Sequence, residues 1–498
     1  MRRTSAYAKT CALLFTRASS MAFNDLTALA GDAPLPGSGA GSAPVFEPIP
    51  CALPGVTEEH LGRFRCGTVL VPRIHGQPDS GTFRLHVTVL RSLTQPAAPD
   101  PIVLHPGGPG AAGSNTAGGM LPNVPKDFTR DIVLIDDRGA GKSEPRICLG
   151  TERAFGEAVA ADLTLTEYMT AATRTLLDCR REMTANGIPP EAFGTTVTVE
   201  DMELIRRALG IERWNLHGSS YGTRIGMSYM ARHPESLRSA VLESVMRPPQ
   251  TPMQMHAGFE AAFSAVVREC EADAACAKAH PHLSKTLQEA LQRLERSPLI
   301  IPINPTFQIP GNRLILNRVD FDWMLFTGLY ERAAYAHIPA ILEAVRDGRT
   351  EALVPLVEMH ASRWDTRFVS LLTLAAVMCR DTHATTRAPI TAGYQWLEMS
   401  EVCPQWSAPG PVPETPRDTR VPTLILSGEN DPVTPPEYAG QAARVLGPNA
   451  RWVRFPGMGH GVAAQSACGL QVLLSFFDDP RRELDTKCVA EPPPIRFE

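Results

Sequence analysis

Gly218-Ser219-Ser220-Tyr221-Gly222 sets a serine at the centre of the pattern G-x-S-x-G. In such a setting the hydroxyl acts as a nucleophile, held on a sharp turn between a strand and a helix. The flanking residues must be small because a Cβ there would collide with neighbouring backbone. In a chain of 498 residues the pattern arises by chance in about one case in six, so its surroundings have to carry it. Arg213-Trp214-Asn215-Leu216-His217 reads as a strand before the serine. Thr223 to His233 is compatible with a helix after it, stopped by Pro234. That is the strand, turn and helix the motif requires.

A serine hydroxyl is a weak nucleophile until a base takes its proton, and the base needs an acid to orient it. The chain order expected after this kind of turn is serine, then Asp or Glu, then His. Asp431, in Gly428-Glu429-Asn430-Asp431-Pro432-Val433, and His460, in Gly457-Met458-Gly459-His460-Gly461, meet that order. Each lies in a loop just past an apolar run, where α/β active sites gather. Glu429 is the rival acid. Most single histidines are not catalytic; the flanking glycines and the order Ser220, Asp431, His460 single this one out. His105-Pro106-Gly107-Gly108-Pro109-Gly110 also follows an apolar run and can aim backbone N–H groups at an oxyanion. The N–H groups of Gly108 and Tyr221 are the expected donors. Alone, that loop would read as an ordinary Gly/Pro turn. One look-alike is set aside. Gly139-Ala140-Gly141-Lys142-Ser143 resembles the tail of a phosphate-binding loop, but Asp136 stands where that pattern needs glycine.

The elements that must position these residues alternate. Cys66–Val71 and Phe83–Leu90 read as a strand pair, Pro101–His105 as a short strand, and Asp131–Asp136 as a central strand buried on both faces. Helical runs cover about 164–185 and Val199–Leu209, and Ser239–Val245 is a further strand. The alternation predicts an α/β fold, a mostly parallel sheet with helices on both faces. Between about 250 and 400 the pattern becomes helical, with runs at Met255–Cys270, Leu283–Leu294, Phe321–Arg332, Ile338–Arg346 and Phe368–Cys379. Strands then return at Thr423–Ser427 and Arg451–Phe455, with a helix at about 463–478. An interruption of that length is too long for a loop and predicts a cap over the site. The expected organisation is a leader and Gly/Pro-rich linker (1–50), a first core segment with the serine turn (51–248), a helical cap (249–410) and a second core segment with the acid and base (411–498).

Composition excludes several alternatives. Charged residues are 20% of the chain and its net charge is −5, with no basic stripe for nucleic acid. No apolar run approaches the roughly 18 residues of a membrane-spanning helix. The eleven cysteines form no C-x-x-C pair, so no metal is expected, and no cofactor either. Cys51 with Cys66, Cys270 with Cys276, Cys379 with Cys403 and Cys468 with Cys488 lie at loop-sized separations. Spacing leaves both disulfides and free buried thiols open. Arg2, Arg3 and Lys9 give a basic start, but the apolar stretch from Cys11 to Phe15 is shorter than the roughly 7–15 residues of a signal peptide. Met21 is an alternative start, and Cys11 does not read as a lipid anchor.

His105–Gly110, Asp136–Ser143 and Ser220-Tyr221-Gly222-Thr223, together with Asp431-Pro432-Val433-Thr434-Pro435, Gly459-His460-Gly461 and Cys468 through Cys488, resemble the proline iminopeptidase and tripeptidyl aminopeptidase group of α/β-hydrolases. The resemblance spans about residues 50–490 and is dense only at these motifs. It implies the α/β-hydrolase fold with a helical cap and a triad of Ser220, Asp431 and His460. It also implies the disulfides Cys51–Cys66, Cys148–Cys179, Cys270–Cys276, Cys379–Cys403 and Cys468–Cys488, leaving Cys11 unpaired, and export to the periplasm or beyond. A cytoplasmic location is the alternative, because the leader is short. The chain departs from the group at Leu242-Glu243-Ser244-Val245, where the group often reads Leu-Asp-Gly-Val. An aminopeptidase needs a carboxylate for the substrate's ammonium group. Glu260, Asp320, Asp322, Glu331 and Glu358 are available in the helical region, and none is assigned.

The expected function is therefore that of a serine hydrolase working through an acyl-enzyme. An exopeptidase that releases residues or short peptides from free N-termini is the leading expectation. A carboxylesterase or lactonase acting on a small ester is the alternative, and an acyltransferase with the same triad is a third. The expected partner is a small peptide or ester, with no nucleic acid and no membrane span.

Overall fold

The computed structural model describes residues 44–246, 252–307, 309–363, 369–381, 399–490, 492 and 494–497. The leader, with Cys11 and Met21, lies outside the described residues. Nine strands form one sheet in the order β1-β2-β3-β5-β4-β6-β7-β10-β11. They are β1 (Phe46–Ile49), β2 (Phe64–Ile74), β3 (Gln77–Leu90), β4 (Ile102–His105), β5 (Ile132–Ile135), β6 (Trp214–Ser219), β7 (Leu237–Glu243), β10 (Thr423–Gly428) and β11 (Ala450–Phe455). The pairings from β5 through β11 are parallel. The first strands run antiparallel, ending with β3 against β5.

Successive side chains of a strand point to opposite faces, so a strand buried on both sides must be apolar throughout. β5 does this. Val133 and Ile135 enter one hydrophobic cluster with Val199, Met202, Tyr221 and Ile225, while Ile132 and Leu134 enter another with Val472 and Phe476. The helices supplying the first cluster include Leu165–Ala185 and Thr195–Ala208. The former begins with a capping box in which the Thr164 hydroxyl and the Glu167 carboxylate satisfy each other's backbone N–H. The second face is covered by Ala467–Asp478. The helix expected over 463–478 is broken at Ser466, whose side chain caps this second piece by accepting the Gly469 N–H.

The segment read as linker to residue 50 contains a strand. Phe46–Ile49 pairs with Val69–Cys66 at the sheet edge. Pro48 is tolerated there because an edge strand can spare one N–H. The ring of Phe46 fills the space over Gly67 that any side chain at that position would need.

Between β7 and β10 the helices Pro252–Ala272, Leu283–Arg296, Arg318–Gly328 and Ile338–Asp347 build a separate core, joined by the hairpin β8 (Leu299–Pro302) and β9 (Arg313–Leu316). The helix Leu371–Asp381 does not share that core. Its Leu372, Leu374 and Val377 pack with Val199 and Tyr221 in the main cluster. Asp381 accepts the Thr195 N–H at 3.0 Å, and a disulfide ties Cys379 to Cys403. The stretch expected to be cap up to residue 410 therefore divides, its last part bracing the sheet domain. The other disulfides are Cys51–Cys66, Cys148–Cys179, Cys270–Cys276 and Cys468–Cys488, the same five pairings that the resemblance implies.

Candidate active site

β4, β6, β7, β10 and β11 are adjacent and parallel, so the residues just past their C-terminal ends meet along one rim of the sheet. Ser220 follows β6 with φ 54° and ψ −121° and starts the helix Tyr221–Arg232. A non-glycine residue in that region costs about 1–3 kcal/mol and persists only where its surroundings enforce it. Two hydrogen bonds do so here. The Ser220 N–H donates to the Glu243 carbonyl at 2.9 Å, and the Ser220 carbonyl accepts the Thr223 hydroxyl at 2.6 Å. Gly222 is required because a Cβ would lie 2.5 Å from the His105 carbonyl oxygen.

The His105–Gly110 loop lies against this turn. A Cβ on Gly107 would stand 3.3 Å from the Tyr221 nitrogen. His105 is buried and sets the loop: its Nε2 meets the Asp137 carboxylate at 2.9 Å while its Nδ1 accepts the Gly107 N–H at 3.3 Å. From the far side, Ser370 donates its N–H to the Gly110 carbonyl at 2.9 Å. The Tyr221 N–H, first in its helix, has no acceptor within the helix. The loop thus brings Gly107 beside a backbone donor at the serine turn, whereas a Cβ on Gly108 would meet the Gly110 and Ala111 nitrogens of the loop itself. The Tyr221 phenol points elsewhere. It is fully buried on the Thr195 hydroxyl at 2.8 Å, and burial pushes its ionisation well above the ordinary value.

Asp431 and His460 are brought together. His460 Nδ1 lies 2.9 Å from Oδ2 and 3.1 Å from Oδ1 of Asp431. The carboxylate also accepts the N–H groups of Val433 and Thr434 and the Thr434 hydroxyl. Burial opposes its ionisation. The His460 charge and these bonds outweigh that, and the carboxyl sits below its usual range. For His460 burial acts downward; Asp431 and then Glu243 outweigh it and hold the imidazole above an ordinary histidine. With Asp431 ionised, Nδ1 carries the proton and the Nε2 lone pair remains for chemistry. The Tyr330 ring, from the helical insertion, is tilted against the imidazole at 5.1 Å between centroids, and the Tyr330 backbone carbonyl accepts the His460 backbone N–H. Trp323, Phe326, Phe259 and Val433 continue this apolar wall.

The Ser220 hydroxyl makes no hydrogen bond among the described residues, so this structure does not join it directly to His460. Catalytic contacts of this kind often tighten only when substrate binds. What links the two turns is the end of β7: Glu243 holds the Ser220 N–H, and Ser244 Oγ accepts the Gly461 N–H at 2.9 Å.

The remaining sequence candidates go elsewhere. Glu429 binds Arg454 and the Gly457 N–H. The phosphate-loop look-alike folds around Asp136, which accepts the Lys142 N–H and both donors of Ser114. Of the insertion's carboxylates, Glu260 faces His256, Glu358 accepts the Asn304 N–H, and Asp322 pairs with Arg318. Burial pushes Asp322 up to about 7. Asp320 is buried with Asp162 nearby, and both effects push it well above the usual range. Among the described residues no cluster of His, Cys, Asp and Glu is arranged to hold a metal. No described helix is long and apolar enough to cross a membrane.

Sequence reasoning missed Thr434, Gly107, the His105–Asp137 pair and Glu243. Thr434 had a signal, a hydroxyl three residues beyond an aspartate, where side chains of this kind close a local turn. The others depend on contacts between strands that are distant in sequence.

A family pattern described as the alpha/beta hydrolase fold matches residues 100–466. The chain is 26% identical over 460 residues to serine protease Hip1 of Mycobacterium tuberculosis, covering 84% of this chain and 85% of that protein. It is 30% identical over 197 residues to a tripeptidyl aminopeptidase of Streptomyces lividans, covering 37% of this chain and 36% of that one. It is 25% identical over 454 residues to carboxylesterase B of Mycobacterium tuberculosis, covering 83% and 84%.

Proposed function

We propose that this chain, which belongs to the alpha/beta hydrolase fold family, is a serine exopeptidase that releases residues or short peptides from free N-termini through an acyl-enzyme on Ser220. The observation that carries the chemistry is the buried Asp431–His460 pair at 2.9 Å, on the same rim as the strained Ser220 turn. In this reading His460 Nε2 takes the Ser220 proton as Oγ attacks the scissile carbonyl carbon. The N–H groups of Gly108 and Tyr221 receive the negative charge that develops on the carbonyl oxygen. The C–N bond then breaks, and His460 returns the proton to the leaving amine. A water molecule attacks the ester, giving its proton to His460, and the acid product leaves with Ser220 restored.

The peptidase reading is supported by likeness to a serine protease along most of the chain and to a tripeptidyl aminopeptidase over part of it. The apolar wall beside His460 suits a substrate side chain. Ester hydrolysis is the second reading, favoured by likeness to carboxylesterase B. The five disulfides support export, because such bonds persist in oxidising compartments. A panel of free-N-terminus tripeptidyl and aminoacyl anilides, their N-blocked counterparts and p-nitrophenyl esters tests the proposal. It expects cleavage of the free anilides and little of the blocked ones. Turnover of esters alone would overturn it.

A further inference from the structure

Glu243 is 3% exposed, and its polar groups reach in three directions. The backbone carbonyl accepts the Ser220 N–H at 2.9 Å. Oε1 accepts the Ala463 N–H at 2.6 Å, and Oε2 meets His217 Nε2 at 2.9 Å. The next residue, Ser244, takes φ 55°, accepts the Gly461 N–H on Oγ and donates its own N–H to the Leu426 carbonyl at 2.9 Å. Two consecutive residues at the end of β7 therefore grip the backbone of the Ser220 turn and of the segment just past His460. They also bond to β10, whose loop supplies Asp431. A buried carboxylate is costly unless its oxygens are satisfied, and each oxygen of Glu243 has a partner.

We propose that Glu243 is a positioning residue and a second anionic support for the base: it holds the Ser220 and His460 turns in register, and its charge stabilises His460 in the protonated state. This rests on the reading of His460 as general base. The groups in contact with His460 are Asp431 and the Thr434 hydroxyl from beyond β10 and the Tyr330 ring from the insertion, while the Glu243 carboxylate from β7 reaches the backbone three residues past it, at Ala463. His217 from β6 faces Glu243 on its other side. Glu429 and Arg332 on neighbouring segments are committed to Arg454 and Glu269. Burial disfavours the Glu243 charge. The His217 bond and charge, the Ala463 N–H and the His460 charge outweigh it, so the carboxyl sits below its usual range and is ionised at neutral pH.

The test compares E243Q and E243D with the wild-type chain, on any substrate it turns over. E243Q keeps an oxygen for the Ala463 N–H and removes the charge. It is expected to lower kcat about tenfold with KM within about twofold, since the lost interaction is made with charge that develops in the transition state. It is also expected to move the acid limb of kcat/KM to lower pH. E243D restores the charge and should bring that limb back to the wild-type position, even where its shorter reach lowers kcat. An E243Q limb superimposed on wild type, or an E243D limb displaced as far as that of E243Q, would overturn the proposal. If E243Q does not fold, E243N, which also removes the charge, is read by the same criterion. H460A separates this from failure of the underlying reading: wild-type activity in H460A removes His460 as the base, whereas an inactive H460A beside an unshifted E243Q removes only the role of Glu243.

Discussion

Gly107 approaches Ser220 so closely that a Cβ on the glycine would lie 2.9 Å from the serine Cβ and 2.7 Å from the Ser219 carbonyl oxygen. Gly107 also has φ 107°, a conformation that side chains resist. Gly107→Ala must therefore displace either the loop or the Ser220 turn. The expected loss in kcat/KM is about 100-fold or more, since misplacement of about 1 Å has that effect. Steady-state kinetics beside a thermal melt check it, with the kinetic loss expected to exceed anything a small drop in Tm explains.

Asp431→Asn tests the acid. In the proposed mechanism His460 must be neutral to take the Ser220 proton, so the rate rises as pH passes upward through the His460 pKa. Asp431 and Glu243 outweigh burial and hold that pKa above an ordinary histidine, which places the acid limb correspondingly high. Removing the Asp431 charge should move the limb to lower pH and reduce kcat about 10³-fold or more, because the imidazole loses both its orientation and its counter-charge. A pH–rate profile of the variant gives both numbers.

His86 predicts a pH dependence of stability unrelated to catalysis. Burial, with a smaller contribution from Lys142, lowers its pKa from 6.5 to about 4. Its Nδ1 is buried without a hydrogen bond. A histidine whose folded pKa is depressed contributes stability above its unfolded pKa and loses it as pH falls toward the folded one. About 2 kcal/mol should be lost between pH 7 and pH 5. His86→Met should flatten that part of the curve, measured by urea denaturation at the two pH values.

The disulfides should differ in weight. Cys148–Cys179 closes a separation of 31 residues and Cys270–Cys276 one of 6. Chain entropy assigns the longer loop about 3.7 kcal/mol and the shorter about 2.2 kcal/mol. Paired Cys→Ser variants in each, compared by denaturant midpoint, should rank in that order. A thiol titration of the denatured, unreduced protein should find none of these ten cysteines free.

Much of this architecture is written locally. Ile132–Ile135 is apolar on both faces and could only be an interior strand, and Ser220 announces itself through Gly218 and Gly222. Asp431 and His460 are legible because their order and their places after Thr423–Gly428 and Ala450–Phe455 follow from the strand pattern. Phe46–Ile49 is hidden because Pro48 and the Gly/Pro-rich residues before it read as linker, and only the glycine at position 67 on the neighbouring strand makes room for Phe46. The helix Leu371–Asp381 looks like the insertion helices before it. Its allegiance to the sheet domain comes from Thr195, Val199 and Tyr221, far away in sequence. Glu243 read as a departure from a family motif, and its partners His217 and Ala463 become neighbours only when β6, β7 and β11 line up.

The most direct measurement is covalent capture of the nucleophile. The protein is treated with a fluorophosphonate, which phosphonylates activated serines, then digested and mapped by mass spectrometry. A single adduct on the peptide carrying Ser220, absent from a Ser220→Ala variant that melts like wild type and hydrolyses nothing, is the expected result. An adduct on another residue, or hydrolysis by Ser220→Ala at the wild-type rate, would contradict the account.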